Sequence, residues 1–126
     1  MGLAVALGGC SGSPSSPATT TEFFTAPLVV QGDLFYSFNA LSNGTVDVTL
    51  VSVTLATPGP AVATPLTLGV GIPQGTGCPS NTSISTGPGF SAQLSAQVTQ
   101  GIHCVDIHDA GTLTNTVNFA VRIVHP

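Results

Sequence analysis

The sequence predicts an all-β fold, an antiparallel β-sandwich of seven to eight strands, on three observations. Apolar residues from Glu22 onward recur with period two, the spacing of a strand with one buried face. Clusters of Gly, Pro, Asn and Asp punctuate these runs at short intervals, as turns between strands require. No segment carries an apolar 3.6-residue period, so no amphipathic helix is expected. A small barrel is the competing architecture on the same pattern.

The first nine residues, MGLAVALGG, are small and apolar, and Cys10 follows them. This reads as the end of an export signal, with residues 1–9 its remnant. Leu7-Gly8-Gly9-Cys10 resembles the lipobox of bacterial lipoproteins, in which Leu stands three positions before a Cys and small residues fill the gap. The resemblance implies that Cys10 is the lipid attachment site and the mature N-terminus. After Cys10, residues 11–21 are only Ser, Thr, Pro, Gly and Ala, which cannot bury a core, so residues 10–21 should form an extended tether. The β-sandwich domain then occupies residues 22–126.

Within that domain each strand has its own signal. Leu34-Tyr36-Phe38, Val46-Val48-Leu50, Leu66-Leu68-Val70-Ile72, Phe90-Ala92-Leu94-Ala96-Val98 and Val117-Phe119-Val121-Ile123 all alternate with polar residues, as half-buried antiparallel strands do. The run from Thr45 to Leu55 changes phase, its apolar residues being even up to Leu50 and odd from Val51. Either a β-bulge or a strand crossing between sheets would cause this. Turns are expected at Gln31-Gly32-Asp33, Ser42-Asn43-Gly44, Pro58-Gly59-Pro60, Gly87-Pro88-Gly89, Gln100-Gly101 and Asp109-Ala110-Gly111. Ala56 to Pro65 and Gly75 to Gly89 read as longer loops, where binding sites concentrate.

With Cys10 assigned to the anchor, Cys78 and Cys104 are an even pair in a chain read as exported, and a disulfide is the expectation. A free buried thiol is the alternative. The bond would close a loop of about 27 residues and contribute roughly 3 to 4 kcal/mol in the chain-entropy account.

Composition excludes several function classes. The chain has 126 residues, 42% hydrophobic and 5% charged, with Arg122 as its single cation and no Lys. Nucleic-acid binding needs several cations to displace counterions from phosphate, and an electrostatic grip on anionic lipid needs a basic cluster. No apolar run reaches the length of a transmembrane helix. The five acids, Glu22, Asp33, Asp47, Asp106 and Asp109, are dispersed, and no G-x-S-x-G elbow is present, so no catalytic set is assigned.

His103, Asp106, His108 and Asp109 are the one local cluster of titratable residues. Strand parity puts His103 with Val105 and Ile107 on one face and Asp106 with His108 on the other, so only Asp106, His108 and Asp109 could converge. They read as polar residues on an exposed face that ends in an Asp-x-Gly turn, with a Ca²⁺ or transition-metal site on Asp106, His108 and Asp109 as the alternative, and neither metal nor cofactor is assigned. Tyr36 shares the parity of Leu34 and Phe38 and belongs to the core. Phe35 has the opposite parity.

Gly101-Ile102-His103-Cys104-Val105-Asp106-Ile107-His108-Asp109, followed by a polar turn and Val117 to Ile123, resembles the end of bacterial pre-peptidase C-terminal domains. Gly32 to Phe38 and Gly44 to Leu50 resemble their opening strands. The resemblance spans about residues 23 to 125 and implies a jelly-roll-like sandwich acting as an accessory or binding module. His103 stands where Tyr is usual, and no enzyme domain is expected within these 126 residues.

Together these readings describe a non-catalytic protein, anchored by lipid in the bacterial cell envelope at the outer membrane or cell surface, or secreted. Its sandwich would bind or scaffold, with the membrane as one partner and an unspecified protein or glycan as another. The alternative is a self-assembling subunit of an extracellular fibre or surface layer, because uncharged edge strands can pair between copies.

Overall fold

The computed structural model describes residues 18–57 and 59–126, and Cys10, the export remnant and most of the tether lie outside that range. Eight strands follow in order: β1 (Thr20–Leu28), β2 (Asp33–Ala40), β3 (Gly44–Leu55), β4 (Leu66–Gly71), β5 (Ser80–Thr86), β6 (Leu94–Val98), β7 (Gly101–His108) and β8 (Val117–His125). They form two antiparallel four-stranded sheets, β1-β8-β3-β6 and β2-β7-β4-β5. This interleaved order is that of an eight-stranded jelly roll. Among the described residues there is no helix. Thr20 and Thr21, expected in the tether, already belong to β1 and pair with His125 and Val124.

The core fills the space between the sheets. β8 supplies Val117, Phe119, Val121 and Ile123, every odd position of its alternation, all buried. Beside it in the same sheet β3 adds Val46, Val48 and Leu50 and then Val53, and the second sheet faces both with residues such as Phe38, Val105, Ile107, Leu66 and Leu68. The phase change has a local cause, because the register of β3 against β8 shifts between Leu50 and Ser52 and leaves Val51 without a partner. That extra residue is a β-bulge, which turns the odd positions inward from there on.

The bulge also explains a strand that starts later than its alternation. The period-two pattern begins at Phe90, yet β6 begins at Leu94 and Phe90 is 92% exposed. Gln93 is the reason. Its side-chain amide takes the place of a strand, accepting from Leu50 N–H at 2.8 Å and donating to the Leu50 carbonyl at 3.1 Å. A polar side chain thereby completes the ladder beside the bulge, and the residues before it leave the sheet.

Two further expectations change. Ile72 lies beyond the end of β4 and is exposed. The stretch from Gly75 to Gly89 is not all loop, since its Ser and Thr residues form β5, an edge strand that contributes no buried side chain. Backbone pairing with β4 holds it, and the disulfide between Cys78 and Cys104 pins its entry to β7. Gly71 makes the approach feasible, because a Cβ there would overlap the Pro79 carbonyl.

Strand register places Leu28, Leu55 and Val117 at one end of the first sheet, and Asp33, Thr67, Ser85 and His108 at the same end of the second. The connections 29–32, 56–65, 87–93 and 109–116 therefore gather at one end of the sandwich.

Candidate functional site

The turn from β1 to β2 stands at that end and presents Val29 and Val30, 58% and 44% exposed. Exposed valines on a four-residue turn would ordinarily belong to a loose loop, but Asp109 holds this one. The Gln31 N–H donates to Asp109 Oδ2 at 2.7 Å, and the Asp109 N–H donates to the Gly32 carbonyl at 3.0 Å. Gly32 N–H closes the turn on the Val29 carbonyl at 2.8 Å. Gln31 adopts a φ of 59°, the left-handed region that costs a residue with a Cβ about 1 kcal/mol or more. The bond to Asp109 offsets that strain.

The second oxygen of Asp109 is as fully used. Its Oδ1 accepts from the N–H groups of Gly111, Thr112 and Leu113 at 2.9, 2.8 and 3.0 Å, which fixes the start of the β7–β8 connection. Burial alone would push this carboxyl up, but the donors from Gln31, Leu113, Gly111 and Thr112 together outweigh it and hold the group down at about 2. Asp109 is thus a clamp joining two turns, and it is turned away from Asp106 and His108.

The residue that does join them is Asp33, which the local cluster in the sequence did not include. Pairing of β2 with β7 sets Asp33 opposite His108 and Phe35 opposite Asp106, so all four side chains share the outer face of the second sheet. Potential ligand atoms of Asp33, Asp106 and His108 lie within 4.8 Å of one another. His108 Nδ1 bonds Asp106 Oδ2 at 2.7 Å.

That face is not open at Asp106, as parity alone had implied. Asp106 is 4% exposed and Cys104 is fully buried, because the chain entering β5 crosses above them. Across the sheet from Asp106 stands Gly69, and Ser80 fills the space that a Cβ on Gly69 would take. Burial pushes the Asp106 carboxyl up to about 7; neighbouring Asp33 adds to the rise, and the His108 contact opposes it. Asp33 is exposed and His108 half-exposed, so the cluster runs from a covered acid to an open one.

Two carboxylates and an imidazole are donors suited to a divalent transition metal. As arranged, however, the His108 and Asp106 atoms are 2.7 Å apart, closer than the ~3.3 Å between two donors on one tetrahedral zinc. The groups bond each other, and the carboxylate that meets solvent is that of Asp33.

His103 lies on the opposite face, as parity predicts. Its ring stacks on Phe38 at 5.9 Å, and its Nε2 bonds the Thr99 carbonyl at 2.7 Å. A polar set the sequence did not reveal joins first and last strands: Glu22 receives the Tyr36 hydroxyl at 2.6 Å and bonds His125 Nε2 at 2.6 Å. The Tyr36 bond holds the Glu22 carboxyl below its ordinary value against the effect of burial, with His125 adding to the lowering. The same bond, with burial, raises Tyr36. Among the described residues no buried side-chain nitrogen or oxygen is without a partner.

No family model matches this sequence, and no curated protein matches it. A search of solved structures finds similarity to a chain from work on Bacillus endospore appendages, described as a novel family of disulfide-linked pili. The two are 16% identical, the alignment covers 90% of this chain and 97% of that one, and the TM-score is 0.42. At that TM-score the backbones differ too much for the likeness to bear on function.

Proposed function

We propose that the protein is a non-catalytic module of the bacterial cell envelope, held to a membrane by lipid on Cys10, that binds a partner through the loop end of its sandwich. The observation that carries the binding role is the turn of Val29 and Val30. Two apolar side chains are held out in solvent on a backbone that Asp109 has already ordered, so a partner would meet them without the usual entropic cost of fixing a loop. The disulfide between Cys78 and Cys104 supports an oxidising compartment outside the cytosol. The spacing of Leu7 and Cys10 supports the anchor.

Two measurements test this reading. Intact mass of the protein from its host's membrane fraction should show a chain beginning at a lipid-bearing Cys10 that gains about two hydrogens on reduction. A chain beginning at Met1 with three free thiols would contradict both anchor and export. A photo-crosslinking residue placed at Val30 in the host should give a discrete adduct, while one at Ile102, exposed at the other end, should not. Equal labelling from both positions, or none, would contradict binding through the loop end.

A second reading, a self-assembling subunit of a fibre or surface layer, is favoured by β5. That edge strand is seven residues long, uncharged and exposed along nearly its whole length, without the charges that usually block edge pairing. Sedimentation velocity discriminates: the first reading requires a monomer at all concentrations, the second an oligomer that grows.

A further inference from the structure

Each sheet ends in two edge strands, and three of these four carry or border an acid. β1 contains Glu22 and β2 contains Asp33, while β6 is five residues long and lies beside Asp47, which accepts from Ser95. β5 alone carries no charge and pairs with an uncharged strand, β4. In a chain of net charge −4, two copies meet the least repulsion there.

The order of residues in β5 is a second, independent observation. Thr82-Ser83-Ile84-Ser85-Thr86 reads the same in both directions. These five are also the regular part of the strand, pairing in unbroken register with Leu66 to Val70, whereas Asn81 is left without a partner where the register shifts. Antiparallel pairing of two copies about Ile84 therefore sets like against like. Ile84 stands opposite Ile84 of the second copy, Thr82 opposite Thr86, and Ser83 opposite Ser85. Such a contact is self-complementary, as a two-fold interface requires. Opposed Thr and Ser hydroxyls hydrogen-bond and opposed Ile side chains pack.

Ile84 pairs with Leu68, and Thr82 and Thr86 with Val70 and Leu66, all three buried, so these side chains lie on the core side of the sheet. Ile84 is nevertheless 38% exposed, because no further strand stands beside it. A second β5 would place another Ile84 against that apolar surface. The strand is already extended, held by β4 and by the disulfide at its entry, so pairing costs little in ordering.

We propose that two copies of this protein pair antiparallel through β5, with a two-fold axis at Ile84, joining their second sheets into one sheet of eight strands. The inference rests on the second reading above, assembly through β5, and names the partner and the register. The contact closes on itself, so it supplies a dimer, and growth beyond two draws on a surface elsewhere.

The test is sedimentation velocity over a concentration series, on the full chain, on I84K, on I84E and on an equimolar mixture of the two variants. Because β5 contributes no buried side chain, both variants should fold with the disulfide intact. The native chain should dimerise. Each variant alone sets like charges directly opposite each other and should dimerise about tenfold more weakly, while the mixture sets Lys against Glu and should recover most of the affinity.

Variants that associate as well as the native chain would overturn the pairing and leave assembly to another surface. Loss in both variants with no recovery in the mixture would overturn the two-fold register, since position 84 would then not oppose its own copy. A native chain that stays monomeric at every concentration would overturn the inference together with the reading it rests on. A native dimer that responds to the variants as expected but never grows would bear out the pairing and overturn the fibre.

Discussion

Asp106 and Asp109 stand three residues apart in the chain, at the end of one strand and just beyond it, yet their surroundings drive them in opposite directions. Both are buried. Asp109 is met by four backbone N–H groups and stays ionised down to about pH 2, whereas Asp106 is met by one imidazole and another acid and is pushed up to about 7. Backbone donors are fixed by the turn itself and are in place before the charge is needed. A carboxyl covered by a crossing segment has no such supply. Burial therefore decides little without the count of donors, and the same residue type becomes a structural clamp in one place and the covered member of an acid–histidine cluster in the other.

The largest way to disturb this comparison is to remove the cover over Asp106. Reduction of the disulfide, or a C78S/C104S double variant, should lower the unfolding free energy by roughly 3 to 4 kcal/mol in denaturant titrations. It should also bring the titration of Asp106 down toward the ordinary carboxylate range, as the chain entering β5 loosens and water enters. The titration of Asp109 should not move.

Removing the clamp is nearly as costly. D109A strands backbone donors of two turns and should cost about 3 kcal/mol, with faster amide exchange at Gln31 and Leu113. Its pH signature follows from its lowered folded value. The stabilisation by Asp109 is present above its unfolded pKa, near 4, and is lost as pH falls toward 2.

Asp106 has the opposite sign. Between its unfolded pKa, near 4, and its folded value of about 7, the folded state keeps a proton that the unfolded state has released, so stability declines as pH rises through that window. D106N should remove this slope. Above pH 7 it should be more stable than the native chain by on the order of 1 to 2 kcal/mol, allowing for hydration through the half-exposed His108. Thermal unfolding at several pH values reads this directly.

Glu22 extends the comparison to an acid paired by side chains. Its lowered carboxyl stabilises the fold above its unfolded pKa and ceases to do so as pH falls through the folded value. E22Q keeps the shape and should cost about 1 kcal/mol near neutral pH, the smallest of these effects.

How legible this was in the sequence depended on where each signal resided. Alternation located β2, β3 and β8 and exposed the bulge at Val51, because those strands bury one face and burial is written in apolar parity. β5 buries nothing and is held by backbone pairing and a disulfide, so its Ser and Thr residues looked like a loop. Phe90 carried the right parity in the wrong place, since the Gln93 amide substitutes for strand pairing in a way no alternation records.

At the site, parity correctly separated His103 from Asp106 and His108. It could not supply Asp33, which is brought to His108 by the register of two strands far apart in the chain. The cover over Asp106 depends in the same way on Gly69 and Gly71 lying beneath the entry to β5. The Glu22–Tyr36–His125 set required knowledge that first and last strands pair.

Carboxyl carbon NMR of the aspartates, followed from acid to mildly alkaline pH, tests the contrast most directly. Asp106 should titrate near 7 and Asp109 near 2, in one molecule and one experiment. Both groups titrating together near 4 would contradict the account, showing Asp106 to be open to water and Asp109 to lack its backbone donors.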